Sequence, residues 1–379
     1  MSAWTSRITC LLAAVVLLVT GIGVPSASAE TGWSQNPVAS SKADSLSCAD
    51  LLFVGVRGSG EQAPYGTTIG ALEQELATHT QKSHDGLRVN QIYLDYPAVS
   101  LDQLSLDTIE NMVLPTSSES ASPYFSSVDA GVSELERFAT DEAKRCPSQK
   151  LLVAGFSQGA EVATRALASG KLDSSALGVL LLGNPLHYDG QNVNELEGSA
   201  SNRAYGLSAA LYFLRSQASS VSGASREQQV QSLLTSLFSM YNGTVDTPVL
   251  NAAMSAVGAD IPGTDAPLSW SVCMSGDSVC DSAGALSRLL TSTATVQEER
   301  DRARSPHESY TPANVPKTLA ALEAKIDAMP ATQGRGAASS LAKHSVLPVV
   351  GIAAAAVVVI SASAVFWLRR NRSSRGSHE

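Results

Sequence analysis

The stretch Leu151-Leu152-Val153-Ala154-Gly155-Phe156-Ser157-Gln158-Gly159 decides how the rest of this 379-residue chain is read. Its first six residues carry no polar side chain, the pattern of a strand buried on both faces. The run ends in Gly-x-Ser-x-Gly. In that pattern a strand turns abruptly into a helix and holds a serine in a strained conformation, with its hydroxyl thrust out of the bend. Gly155 and Gly159 suit such a bend because side chains there would collide. Ala160 to Ala168 consists mostly of good helix formers and stops at Ser169-Gly170. The motif thus has the flanking strand and helix it requires. A serine in an ordinary βα turn is the alternative, and five residues alone do not separate the two.

Working outward, the same alternation recurs. From Cys48, Ala49 to Val56 reads as a second buried strand, ending in the turn Arg57-Gly58-Ser59-Gly60-Glu61. Thr68 to Leu76 reads as a helix and Leu87 to Tyr96 as a strand closed by Pro97. Tyr124 to Lys144 reads as an amphipathic helix carrying Val128, Val132, Leu135 and Phe138 or Ala139 on one face. Ala176 to Gly183 is a further buried strand, ended by Asn184-Pro185. A short strand is expected near Leu268 to Cys273, and a last helix over Val315 to Met329. Continuous apolar strands alternating with helices imply an α/β fold with a parallel sheet covered on both faces.

Residues 188–265 break the rhythm. Leu207 to Arg215 and Gln229 to Tyr241 look helical, joined by a flexible link, Ser219 to Ser225. The second helix carries Val230, Leu233, Leu237, Phe238 and Tyr241. This reads as a helical insertion over one edge of the sheet. Its stripe is expected to complete a core; covering a lipid-binding cleft is the alternative.

The ends of the chain are of a different kind. Residues 1–29 read as a secretory signal, with Arg7, an apolar core from Leu11 to Val19, and Ala27-Ser28-Ala29 as the cleavage site. Residues 30–46 read as a loose arm, 47–328 as the folded domain and 329–345 as a linker. Residues 346–368 carry no charge, which is long enough for a transmembrane helix, and Arg369-Arg370-Asn371-Arg372 follows. The positive-inside rule keeps the tail, 369–379, in the cytoplasm and the domain outside. Leu347-Pro348-Val349-Val350-Gly351 resembles a sortase signal with valine in the threonine position, so covalent wall attachment ranks second.

Charge and cysteines agree with export. Of 26 basic and 35 acidic residues, Arg7, Arg369, Arg370, Arg372, Arg375 and Glu379 lie in the terminal segments, leaving 21 against 34 and a net charge of −13 outside. So acidic a domain argues against nucleic acid as a partner. Cys10 goes with the signal, and the remaining Cys48, Cys146, Cys273 and Cys280 imply two disulfides with three possible pairings. No Cys-x-x-Cys or histidine cluster suggests a metal site.

A serine hydroxyl attacks only when a base takes its proton and a third group orients that base. In sheets of this kind the chain order is serine, acid, histidine. His79 and His84 precede Ser157, while His344 abuts the apolar run and His378 lies beyond it. His187 follows the elbow too closely to leave room for an acid strand. His307 remains. For the acid, Asp260, Asp265, Asp277, Asp281 and Asp301 are available. Asp277 is favoured because it lies between Cys273 and Cys280, in a loop that a disulfide would fix. The oxyanion donors would be the N–H of Gln158 and, from the turn after the earlier strand, Ser59 through its N–H and hydroxyl. A glycine-rich turn also suggests phosphate binding, but neither the Walker lysine nor the dinucleotide spacing is present.

Four segments taken together resemble the cutinase family of serine esterases: Cys48 through Arg57-Gly58-Ser59-Gly60-Glu61; Cys146 through Gly155-Phe156-Ser157-Gln158-Gly159; Cys273 through Gly276-Asp277 to Cys280; and His307-Glu308-Ser309-Tyr310. The resemblance implies disulfides Cys48–Cys146 and Cys273–Cys280, a triad of Ser157, Asp277 and His307, and an oxyanion hole from Ser59 and Gln158. It also implies a three-layer αβα sandwich around a five-stranded, mainly parallel sheet. The chain departs from the family in the length of Pro185 to Cys273 and of Asp277 to His307; both insertions border the site. The expected protein is a surface-anchored, monomeric hydrolase of ester or lipid substrates, without cofactor or metal. Its rivals are an envelope acyltransferase using the same triad and a silent binding module.

Overall fold

The computed structural model describes residues 32–330 apart from 85, 101–112, 114–122, 173, 174, 202 and 222. The signal segment, the apolar run 346–368, the tail and nearly all of the linker lie outside these. Among the described residues no helix is long and apolar enough to cross a membrane.

The elements, in chain order, are β1 Gly32–Trp33, β2 Val38–Ala39, β3 Leu51–Val56, α1 Gly66–Ser83, β4 Arg88–Tyr93, α2 Pro123–Arg145, β5 Lys150–Phe156, α3 Gln158–Ala168, β6 Ala176–Leu182, α4 Leu207–Ser220, α5 Arg226–Tyr241, α6 Thr247–Ala256, β7 Ser269–Val272, α7 Ala283–Leu290, α8 Val296–His307 and α9 Pro316–Asp327. The strands form one parallel sheet in the order β1-β4-β3-β5-β6-β7, with β2 also on β4.

The sheet has seven strands where five were expected. β3 to β7 are those five; the other two come from residues read as a loose arm. Each is two residues long, too short to show an alternation in sequence, and each is held by the free edge of β4. Gly32 and Ser34 donate to the Leu87 and Val89 carbonyls, both at 2.8 Å, and Ser34 Oγ accepts from the Gln91 N–H at 3.1 Å.

Both faces of the sheet are covered, which explains the unbroken apolar runs of β3 and β5. Leu52, Val54, Val56, Leu151 and Val153 point to one side, against Val128, Leu135 and Phe138 of α2 and Val162, Ala163 and Ala166 of α3. Leu51, Phe53, Leu152 and Ala154 point to the other, against Ile69, Leu72 and Leu76 of α1 and Leu319, Leu322 and Ile326 of α9. Successive residues of a strand alternate between two cores, so the three layers follow from the two-residue period. The elbow strand β5 lies centrally between β3 and β6.

The insertion builds a third core. Leu211, Phe213 and Leu214 of α4, Leu237 and Met240 of α5, and Leu250 and Met254 of α6 pack with Leu286 and Leu289 of α7. The expected stripe on α5 enters it only in part. Leu237 is buried and Leu233 half-buried, but Val230, Phe238 and Tyr241 are 38, 47 and 60 % exposed. The residues read as one stripe occupy two faces of the helix: 233 and 237 face inward, joined there by Met240, while 230, 238 and 241 face outward with Leu234.

Between Asp277 and His307 the structure places α7 and α8, neither of which the apolar pattern revealed. α8 is charged on nearly every side, so no period shows. Its start was legible in another signal, the capping box in which Thr295 Oγ1 accepts from the Glu298 N–H and Glu298 accepts from the Thr295 N–H.

Candidate active site

Ser157 sits between β5 and α3 with φ 54° and ψ −122°, a conformation L-residues rarely adopt. Its N–H donates to the Leu182 carbonyl at 2.9 Å and its carbonyl starts α3 by accepting from Ala160 and Glu161. The flanking glycines permit the bend. A Cβ on Gly155 would lie 2.4 Å from the Gly159 carbonyl oxygen, and one on Gly159 would lie 2.1 Å from that of Val56. Strand and helix approach so closely only because both positions lack side chains.

Of the acids available in sequence, the structure brings Asp277 to His307. The carboxylate is wholly buried, and His307 Nδ1 lies 2.9 Å from each of its oxygens. Oδ1 also accepts from the Val279 N–H at 2.9 Å and Oδ2 from the Tyr310 hydroxyl at 2.6 Å. The Cys273–Cys280 disulfide closes the loop that carries Asp277, and Cys48–Cys146 ties the approach to β3 to the loop between α2 and β5. His307, the last residue of α8, stacks its ring on Phe156 with centroids 4.7 Å apart. Gly183 lies beneath: a Cβ there would meet Asp277 Oδ2 at 3.1 Å and His307 Cε1 at 3.2 Å.

Ser157, His307 and Ser59 line one cavity of about 340 Å³. Among the described residues no hydrogen bond joins the Ser157 hydroxyl to His307. Such contacts commonly tighten only when substrate is bound.

The turn carrying Ser59 is held rigidly. Glu61 accepts from the N–H of Gly58 at 2.6 Å and of Thr67 at 3.0 Å, while the Arg57 guanidinium donates to the carbonyls of Glu61, Leu94 and Tyr96. The Ser59 hydroxyl, expected to aim at substrate, instead donates to the Val99 carbonyl at 2.6 Å. The other face of the same residue reaches Gln158: the Val99 N–H donates to Ser127 Oγ, and Ser127 donates to Gln158 Oε1, both at 3.2 Å. Gln158 opens α3, so its own N–H has no intrahelical acceptor. Val99 and Ser127, invisible to motif reading, thus tie the two expected oxyanion residues to the backbone of one residue.

Tyr310 and Glu161 also carried no role in sequence. Burial, reinforced by the Asp277 carboxylate, raises the Tyr310 phenol well above 10, so it stays a donor. Glu161, one turn after Ser157, is fully buried. Its Oε2 accepts from Ser208 of α4 at 2.7 Å and from Tyr124 of α2 at 2.9 Å, and among the described residues its Oε1 has no partner. Burial raises this carboxyl to about 7 despite those two donors. A folded-state value above the ordinary 4.5 means the native chain keeps a proton that the unfolded chain releases. The stabilisation is therefore complete below about pH 4.5 and is lost as pH rises to about 7, by up to roughly 3 kcal/mol. Glu161→Gln is expected to flatten that slope, with denaturation midpoints at pH 5 and pH 8 as the check. A slope equal to that of the unaltered protein would show that Glu161 is not its source.

His187, set aside in sequence, is buried, and burial lowers it to about 4, so its contact with Glu195 at 3.2 Å is not an ion pair near neutrality. Among the described residues no group of histidine, cysteine and carboxylate side chains could hold a metal.

The cutinase family model matches residues 47–299. A cutinase of Coprinopsis cinerea is 26 % identical over 160 residues, which span 40 % of this chain and 66 % of that protein. Among solved structures, an acetylxylan esterase is 16 % identical and covers 74 % of this chain and 100 % of its own, with a TM-score of 0.42. A cutinase-like protein from Cryptococcus sp. is 18 % identical over 62 % of this chain and 81 % of its own, with a TM-score of 0.37. With its family model spanning the elbow and the acid loop and ending in the first turn of α8, this chain belongs to the cutinase family.

Proposed function

We propose that this protein hydrolyses carboxylic esters through an acyl-enzyme, with Ser157 as nucleophile, His307 as base and Asp277 as the acid that orients it. One observation carries the reading: a serine in a strained elbow shares a cavity with a histidine whose far nitrogen is held by a buried carboxylate. Ser157 Oγ attacks the ester carbonyl while His307 Nε2 takes its proton. The negative charge that develops on the carbonyl oxygen is met by the Gln158 N–H and by the N–H of Ser59. His307 then gives the proton to the departing alcohol as the C–O bond breaks. Water, deprotonated in turn by His307, releases the acid and restores the serine. Two disulfides suit an exported chain, and residues 346–368 would anchor it at the cell surface.

The full chain, assayed with p-nitrophenyl butyrate, is expected to release nitrophenolate. Folded protein without turnover on any of a panel of simple esters would overturn the proposal. Tyr310→Phe tests the support of the acid. Removing one donor from a buried carboxylate costs about 1.5–3 kcal/mol, so kcat is expected to fall ten- to a hundredfold with KM nearly constant. A rise in KM at constant kcat would instead place Tyr310 in substrate binding.

A further inference from the structure

The first turn of α4, where the helical insertion begins, is bonded on one side to the elbow helix and on the other to the acid loop. Toward the elbow, Ser208 Oγ donates to Oε2 of Glu161 at 2.7 Å, and Glu161 stands one turn beyond Ser157 on α3. Toward the acid, the N–H of Leu207 donates to the Val279 carbonyl at 2.8 Å, and the Val279 N–H donates in turn to Asp277 Oδ1 at 2.9 Å. A second tie lies beside the first: the Tyr205 carbonyl accepts from the N–H of Ser282 at 2.7 Å and from its hydroxyl at 2.8 Å. Gly206 lets this turn seat closely, since a Cβ there would lie 2.2 Å from the Pro185 carbonyl oxygen. A path of bonds therefore runs from the nucleophile's helix to the carboxylate that orients the base. Glu161, Ser208, Ser282 and Asp277 are all buried, so water does not stand in for any of their partners.

Packing does not account for Glu161. Its neighbours on α3, Ala160, Val162, Ala163 and Ala166, fill the core with apolar side chains. Desolvating a carboxylate costs more than two hydroxyl donors offset, and an apolar residue of similar size would avoid that cost. What the carboxylate adds is a fixed geometry between the elements that donate to it, Ser208 of α4 and Tyr124 of α2. We propose that Glu161 and Ser208 are positioning residues for catalysis, which make the first turn of α4 a strut that sets the spacing between elbow and acid loop. This rests on the ester hydrolase reading above and gives the insertion a part in it.

A misplacement of about 1 Å in a catalytic array costs on the order of a hundredfold in rate, so loosening one bond of the strut is expected to cost about tenfold. The full chain is assayed with p-nitrophenyl butyrate, unaltered and as Ser208→Ala, Glu161→Gln, Glu161→Leu, and Ser208→Ala with Glu161→Leu. Ser208→Ala is expected to lower kcat about tenfold with KM within about twofold, because neither side chain of the pair touches substrate. Glu161→Gln keeps an accepting oxygen and is expected to retain most of the activity. Glu161→Leu is expected to lose at least as much as Ser208→Ala, and the double variant no more than Glu161→Leu alone, as two ends of one link require. Should Glu161→Leu not accumulate as soluble protein, Ser208→Ala and Glu161→Gln decide the matter. Unchanged kcat in Ser208→Ala, a rise in KM that matches the fall in kcat, or losses that multiply in the double variant would overturn the strut and leave the hydrolase reading intact. An unaltered chain that cleaves no ester would overturn both.

Discussion

Asp277→Asn is expected to lower kcat for ester hydrolysis by about 10⁴ while leaving the fold intact. The reason lies in the donors that converge on this side chain. Oδ1 accepts from the Val279 N–H, Oδ2 from the Tyr310 hydroxyl, and the His307 Nδ1 position faces both. A carboxylate satisfies all of them because both its oxygens accept. An amide has one accepting oxygen and an NH₂ group, so one of the three donors must face another donor. If His307 yields, it adopts the tautomer that cannot take the serine proton. If Tyr310 yields, the acid loop loses a tie to the segment after α8. The disulfide across residues 273 and 280 keeps the loop closed in either case. Steady-state kinetics and circular dichroism check this together. A loss under tenfold, with structure unchanged, would move the orienting role away from Asp277.

Gly159→Ala carries the largest expected effect on stability. The added Cβ would stand 2.1 Å from the Val56 carbonyl oxygen and 2.7 Å from that of Arg57. These are backbone atoms of β3 and of the turn that carries Ser59, so no rotamer change relieves the clash. Strand, elbow and helix would have to part, and overpacking of this severity is expected to cost at least about 3 kcal/mol. The midpoint of urea unfolding should fall with unchanged m, or the variant should fail to accumulate as soluble protein. A soluble variant with an unaltered midpoint would mean that β3 and α3 do not meet as closely as a 2.1 Å approach requires.

The fold was legible wherever period and composition worked together. β3, β5 and β6 are uninterrupted apolar runs because helices cover the sheet on both sides, and α2 shows its buried face in Val128, Leu135 and Phe138. β1 and β2 were not legible, since two residues cannot display a period and their pairing is supplied by β4. α8 escaped because it is nearly all charged, and the outer face of α5 was misjudged because apolar residues on two faces were summed into one stripe.

The candidate site divides in the same way. Ser157 was marked by glycines whose spacing is dictated by the bend, and Asp277 by the cysteines that frame it. Residues that act through a backbone group left no such mark. Val99 contributes a peptide, Ser127 a hydroxyl between two partners, and Gly183 merely the space under His307. Each depends on elements far apart in the chain meeting at one end of the sheet. The turn that carries Ser59 follows β3 as expected, but its hydroxyl is committed to Val99.

A fluorophosphonate forms a stable adduct with a serine only where a neighbouring base and oxyanion donors activate it, so mapping that adduct bears on nucleophile, base and hole together. The full chain, treated with the probe and digested, is expected to carry the added mass on the peptide containing Ser157, and the His307→Ala variant is expected to lose it. An adduct on another residue, none in folded protein, or undiminished labelling without the imidazole would contradict the account.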